Sequence, residues 1–131
     1  MAKCQVGVVG TGVMSTGTAT LLICNRYPTV MYGRTQESCE RGLQAVGAAL
    51  DDLISVGALK KEQKETALSY LTTTTSYGDL AGCAFCIESV SETIEAKREV
   101  MAHLEEVCSP ETVLSSTTSA ISAREIGAGL R

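Results

Sequence analysis

Val6-Gly7-Val8-Val9-Gly10-Thr11-Gly12-Val13-Met14-Ser15 joins an apolar run to a helical one through two closely spaced glycines. The apolar, β-branched run from Cys4 to Val9 leads straight into Gly10, which is how a buried parallel strand ends. From Gly12 to Cys24 the residues Val13, Met14, Ala19, Leu22 and Ile23 mark a buried helix, despite the poor helix formers Thr16, Gly17, Thr18 and Thr20. A strand, a glycine turn and a helix in that order predict a dinucleotide-binding turn. Gly10 makes the tight turn, Gly12 lets a pyrophosphate touch backbone, and the free N–H groups and dipole of the helix N-terminus favour the anion. A third glycine normally lets helix and strand pack closely, but Ser15 stands there. Either the helix stands off slightly or the hydroxyl turns towards the phosphates.

Outward from this turn, strands and helices alternate. Tyr27-Pro28 breaks the first helix, and a second strand, Thr29 to Tyr32, stops at Gly33. Apolar residues at helical spacing from Gln36 to Val56 predict a long amphipathic helix closed by Gly57, and Lys61 to Leu71 reads as another. Four consecutive β-branched residues, Thr72 to Thr75, favour a short strand. Ala84 to Val90 reads as a fourth strand, Ile94 to Val107 as a helix, Thr112 to Ser116 as a fifth strand, and a last helix starts near Ser122 and runs to the C-terminus. Such alternation implies an α/β fold, a parallel sheet with helices on both faces.

With 131 residues, a formal charge of −4, 44% hydrophobic and 20% charged residues, the composition is that of one soluble globular domain, 1–131. The acidic balance and 4% aromatic content argue against a nucleic-acid partner. The longest apolar run, Leu21 to Cys24, is far too short to span a bilayer, so no membrane association is expected. Six scattered cysteines read as reduced thiols of a cytoplasmic protein. Cys83 and Cys86 have redox-motif spacing but straddle a strand start rather than a helix N-terminus. They are expected to be buried structural thiols, and no second pair or histidine completes a metal site.

The whole chain resembles the N-terminal nucleotide-binding domain of the 3-hydroxyacyl-CoA dehydrogenase family. The matching pieces are collinear: the turn Gly10 to Met14, the helix pair Gln36 to Leu71, Thr73-Thr74-Thr75 followed by Asp79-Leu80, Ile87-Glu88-Ser89-Val90-Ser91-Glu92, the Lys97-Arg98-Glu99 helix, and Val113 to Ile126. The resemblance implies a Rossmann-type sheet with a long helical-hairpin insertion, Gln36 to Leu71. It implies an oxidoreductase moving hydride between a 3-hydroxy and a 3-oxo compound, with a small-molecule substrate such as an acyl-CoA. It also implies a following helical substrate and dimerisation domain, absent from this chain, through which the parent protein would form a homodimer. The family's general-base histidine lies beyond this domain, so the chain alone is expected to bind cofactor without turnover. His103, mid-helix among charged residues, is read as a solvated face. A noncatalytic nucleotide-sensing module is the competing reading, and it would apply if the gene ended at Arg131.

By the same resemblance, Glu92 and Lys97 lie by the nicotinamide end of the cofactor, and Ser119 contacts cofactor and substrate hydroxyl. Thr117 stands where the family has an Asn. On the coenzyme-A side the family's Ser and Lys align with Ala49 and Val56, beside the acidic Asp51-Asp52, with Lys60 and Lys61 one turn on. This leaves open a smaller free hydroxy acid, as in relatives that oxidise carnitine or gulonate. Where the family carries an Asp that accepts the ribose hydroxyls, this chain reads Gly33-Arg34-Thr35. Glycine removes the acceptor and its repulsion of a 2′-phosphate. Arg34 adds a planar cation and Thr35 a hydroxyl donor, so NADP is the expected cofactor ahead of NAD. A turn with a solvated arginine is the bland alternative. The expected cofactor contacts are thus Gly10, Thr11, Gly12, Val13, Met14, Ser15, Gly33, Arg34, Thr35, Glu92, Lys97 and Ser119.

Overall fold

A computed structural model describes residues 3–118 and 121–130. Five short strands, β1 (Val6–Val9), β2 (Thr29–Tyr32), β3 (Leu71–Thr74), β4 (Phe85–Glu88) and β5 (Val113–Ser116), form one sheet in the order β3-β2-β1-β4-β5. Every pairing is parallel. The helices are α1 (Val13–Cys24), α2 (Gln36–Ser55), α3 (Gln63–Leu68), α4 (Ile94–Val107) and α5 (Ala123–Ile126). The register aligns Thr74, Tyr32, Val9, Glu88 and Ser116 in one row across the sheet. The residues that follow this row therefore share one carboxyl edge. Chain order reverses between β1 and β4, the place where open α/β sheets form a ligand crevice.

Two apolar layers cover the sheet. Ala19 and Ile23 of α1, Val46 and Leu50 of α2, and Ala67 of α3 pack with Met31 on one face. On the other, Val100, Met101 and Leu104 of α4 and Ile126 of α5 pack with Val30 and Tyr32. Met31 thus faces one layer and its two neighbours in β2 the other, the period-two alternation of a strand buried on both sides.

Several expected boundaries shift. The predicted helix Lys61 to Leu71 contracts to α3. The Gln63 side chain accepts the Lys60 N–H at 2.8 Å in a turn that precedes it, and Leu71 leaves the helix to pair with Thr29. Within the span expected of a helical hairpin the first arm is the 20-residue α2, packed on α1 and β3, and the second arm, α3, is six residues long and packs on α1 and α2. The last helix does not run to the C-terminus but closes after Ile126, with the Ser122 hydroxyl as its N-cap. A single 3-10 turn, Tyr77–Leu80, falls between β3 and β4, too short for any periodicity to announce it.

Candidate functional site

Gly10 leaves β1 with φ at +124°, a conformation that L side chains rarely adopt. A Cβ at this position would lie 2.6 Å from Ser15 Oγ and 2.9 Å from the Ser89 carbonyl oxygen. Ser15 therefore occupies room that the glycine leaves. Its hydroxyl is fully buried beneath the turn with no hydrogen-bond partner among the described residues, and does not line the cleft. Gly12 caps α1 with no side-chain hydrogen bond, no acidic residue stands in the first turn, and no atom lies within 4 Å of where its Cβ would be. The first N–H groups of a helix have no intrahelical acceptor, so this end of α1 presents donors and partial positive charge to open space. The side chains of Val13 and Met14 are exposed and do not line the cleft, which leaves these two residues only their backbone to offer.

A cleft of about 610 Å³ extends from this turn along the carboxyl edge of the sheet. Gly10, Thr11 and Gly12 form its floor at the centre. At the β2 end it is bounded by Gly33 and Arg34, and also by Ser38 and Arg41 of α2, two polar residues the sequence reading missed. Arg41 is held by Glu37 at 3.0 Å on an exposed helix face. Thr35 corrects the expectation made of it. Its hydroxyl accepts the Ser38 N–H at 3.1 Å and shares a 2.7 Å hydrogen bond with the Ser38 hydroxyl, so it caps α2 rather than facing the cleft. Gly33 has a second reason to be glycine: a Cβ there would lie 2.9 Å from Cys39 Sγ and 3.1 Å from Thr11 Cγ2.

Below Arg34 three rings stack in a row. Tyr32 and Tyr77 have centroids 4.0 Å apart, Tyr77 and His103 4.6 Å, and all three line the cleft. His103 is exposed, as expected, and ends the stack against Tyr77. Burial, followed by the neighbouring Tyr32, pushes the Tyr77 phenol well above its ordinary value, so it remains a neutral ring. No sequence spacing brings these residues together, since each comes from a different element.

Beyond β4 lies a buried charge cluster. Glu88, the last residue of β4, and Lys97, in the first turns of α4, are 0% and 1% exposed. The Lys97 ammonium donates to both Glu88 carboxylate oxygens at 2.9 Å and to the Val90 carbonyl at 3.4 Å. Glu88 also accepts the Val90 N–H at 2.9 Å and the Ser116 hydroxyl. Lys97, expected as a cofactor contact, has its ammonium turned inward onto Glu88. Glu92 is on the exposed side of the same loop, 3.9 Å from Lys97 Nζ, and accepts the Thr118 hydroxyl. Thr117 donates to Ser89 Oγ at 3.0 Å, which ties the end of β5 to the end of β4. Ser119 lies outside the described residues.

Cys83, Cys86 and Cys108 are buried in the α4 layer, as expected of structural thiols. A second cavity, of about 500 Å³, lies between β5, α4 and α5 against Met101, Leu114, Ile121 and Leu130. It has neither a glycine turn after a strand nor an arginine on its walls. The first cleft has both, and its residues fit an extended dianionic dinucleotide: diphosphate at the glycine turn and the start of α1, one nucleoside towards Arg34 and the ring stack, the other towards Ser89 to Ser91.

Comparison with known proteins agrees with this geometry. Residues 5–131 match the family described as 3-hydroxyacyl-CoA dehydrogenase, NAD binding domain. The chain is 32% identical to the 3-hydroxyadipyl-CoA dehydrogenase of Escherichia coli over 126 residues, 96% of this chain and 26% of that protein. It superimposes on the crystal structure of M. tuberculosis FadB2 with a TM-score of 0.93 at 30% identity, covering 98% of this chain and 45% of the other. The 3-hydroxybutyryl-CoA dehydrogenase of E. coli gives a TM-score of 0.92 at 31% identity, covering 100% and 28%. The chain thus spans less than half the length of these relatives. Its parallel sheet, glycine turn and near-complete match over residues 5–131 establish that it belongs to the 3-hydroxyacyl-CoA dehydrogenase family, as an NAD-binding domain.

Proposed function

We propose that the cleft binds NADP in preference to NAD, and that the chain is the cofactor-binding part of an enzyme that oxidises a 3-hydroxy compound to a 3-oxo compound or the reverse. The observation that carries the cofactor choice is the β2 end of the cleft. Gly33 stands where an acidic residue would accept the ribose hydroxyls, and Arg34, Ser38 and Arg41 line the wall beside it. A guanidinium pairs with a 2′-phosphate through two N–H groups. The bound nicotinamide would accept or give the hydride; this chain's residues bind, orient and place charge around it. His103, the one histidine of the sequence, stands at the ring-stack end, so the chain offers no imidazole base beside Glu92.

One charge-assisted hydrogen bond contributes about 1.5–3 kcal/mol, which corresponds to roughly ten- to a hundredfold in affinity. Titrating NADPH and NADH by cofactor fluorescence at fixed ionic strength should give tighter NADPH, and Arg34→Ala should remove most of the difference. Equal constants for the two cofactors would reduce Gly33-Arg34 to a turn. A second reading concerns the substrate. Ala49 and Val56 replace the side chains expected to hold coenzyme A, and Asp51 is paired with Lys64 at 2.8 Å, which neutralises a nearby cation. A free hydroxy acid then becomes the substrate class, tested by kcat/KM of the full-length protein for the acid against its thioester.

A further inference from the structure

Gly7 stands inside β1, where a residue without a side chain weakens a strand, so its neighbours have to explain it. A Cβ there would lie 3.0 Å from Cys86 Sγ, 3.0 Å from Leu80 Cδ2 and 3.3 Å from Cys83 Sγ. The glycine therefore makes room for two sulfur atoms at one point. Cys86 is its partner in the parallel register, whereas Cys83 belongs to the turn before β4. The chain bends at Ala84, and both sulfurs end on the same side of β1.

Hydrogen bonds on three sides hold this turn. The Leu80 carbonyl accepts the Cys83 N–H at 3.0 Å and the Cys108 thiol at 3.5 Å, the Ala84 N–H donates to the Gln5 carbonyl at 2.9 Å, and the Thr112 hydroxyl donates to the Cys83 carbonyl at 2.8 Å. Cys83 and Cys86 are thus kept in contact, with the Cys86 thiol donating to the Cys83 sulfur. That bond holds the Cys83 thiol below its ordinary value, against the opposite effect of burial, and so favours its thiolate. Cys83 is also the reachable member of the pair: it is 3% exposed against 0% for Cys86, and it lies between the exposed residues Gly82 and Ala84. Among the described residues no group of three ligating side chains is placed to hold a metal ion. What two thiols in contact offer is chemistry with each other.

We propose that Cys83 and Cys86 form a reversible thiol–disulfide site at the amino edge of the sheet, opposite the cofactor cleft, and that hydrogen peroxide closes it. The Cys83 thiolate attacks one peroxide oxygen, the O–O bond breaks, and the departing hydroxide takes up the proton that Cys83 gave up, which leaves a sulfenic acid and one water. The Cys86 sulfur then attacks Cys83 Sγ. The S–S bond forms as the S–O bond breaks, and the second water leaves with the Cys86 proton. Two thiols and one hydrogen peroxide give one disulfide and two waters, and a dithiol reductant reverses the bond. Rotation of the Cys83 side chain at the bend closes the contact to the S–S distance of about 2.05 Å. Cys108, its thiol engaged by the Leu80 carbonyl, takes no part.

The test uses the full chain carrying Cys4→Ser, which removes the exposed thiol. The folded protein is treated with hydrogen peroxide, then denatured, alkylated and cut with trypsin. Cys83 and Cys86 share the peptide 65–97, and Cys108 falls in the peptide 99–124. The expected product is peptide 65–97 without alkyl groups and lighter by two hydrogens, with a loss of two of the five thiols left from the original six. Dithiothreitol should restore both. Cys108→Ser should keep the bridge, and Cys83→Ala and Cys86→Ala should each abolish it; thermal unfolding verifies the fold of each variant, and either one that folds decides. Full alkylation of Cys83 and Cys86 after peroxide treatment overturns the proposal. So does a bridge that joins peptides 65–97 and 99–124, or one that forms only in denaturant.

Discussion

Lys97→Met is the substitution whose cost follows most directly from the structure. The ammonium is 1% exposed and the carboxylate it serves 0%, so neither solvent nor salt screens the interaction. Deleting Lys97 leaves Glu88 with two of its four donors, the Val90 N–H and the Ser116 hydroxyl. Breaking a buried pair from one side costs about 3–5 kcal/mol, against a total stability of about 5–15 kcal/mol for a domain of ordinary size. With a urea slope of about 1–3 kcal/mol per molar, the midpoint should fall by roughly 1–5 M. Glu88→Gln/Lys97→Met should be more stable than Lys97→Met, because no uncompensated charge remains and the glutamine oxygen still accepts from Val90 or Ser116. Equilibrium urea unfolding of the four proteins closes the cycle, with an expected coupling of about 2–3 kcal/mol. If the two single losses instead add up to the double within about 0.5 kcal/mol, the pair is not the interacting unit described here.

Two further outcomes follow from the same geometry. Gly33→Ala adds only the Cβ that crowds Cys39 Sγ and Thr11 Cγ2, and should cost about 1–3 kcal/mol of stability with the NADPH preference retained; Gly33→Asp should show that cost and a shift towards NADH as well, so equal stability of Gly33→Ala and the unaltered chain would contradict the close contact. Cys86, pushed up first by its hydrogen bond to Cys83 and then by burial, Cys108, pushed up by burial, and Tyr77 keep their protons in the fold where an unfolded chain loses them. The unfolded state then binds fewer protons, and stability should fall as pH rises through the ordinary thiol and phenol values of 9.0 and 10.0, opposed only by Cys83, whose thiol is lowered by its hydrogen bond to Cys86. A flat urea midpoint from pH 7.5 to 10.5 would refute this.

The architecture was legible because it rests on local signals. A β-branched run ending in glycine, a proline break after Tyr27, and apolar spacing in Ile94–Val107 each fix an element without reference to the rest. The site was legible only where it is made of backbone. Gly10 and Gly12 declare themselves because no side chain can stand there, whereas Thr35 was assigned to the ligand when its hydroxyl serves as the cap of α2. Lys97 was read from its place near the sheet edge, but the direction in which a long side chain turns depends on Glu88, nine positions away on another element. Tyr32, Tyr77 and His103 are invisible in the same way: a β-strand, a 3-10 turn and the second half of a helix meet only after the α4 layer has packed. The second arm of the helix pair ends earlier than its spacing suggests for a related reason, since amphipathic spacing continues through Leu71 while strand pairing with Thr29 draws that residue into the sheet.

Amide chemical-shift mapping of the ¹⁵N-labelled chain with NADPH distinguishes the two cavities of similar size that the fold offers on the same sheet, about 610 and 500 Å³. The largest shifts are expected at Gly10 to Met14, at Gly33 and Arg34, and at Ser89 to Glu92, with little change at Leu114, Ile126 or Leu130. Shifts centred on those last residues, or no saturable shift at the glycine turn, would contradict this placement of the cofactor.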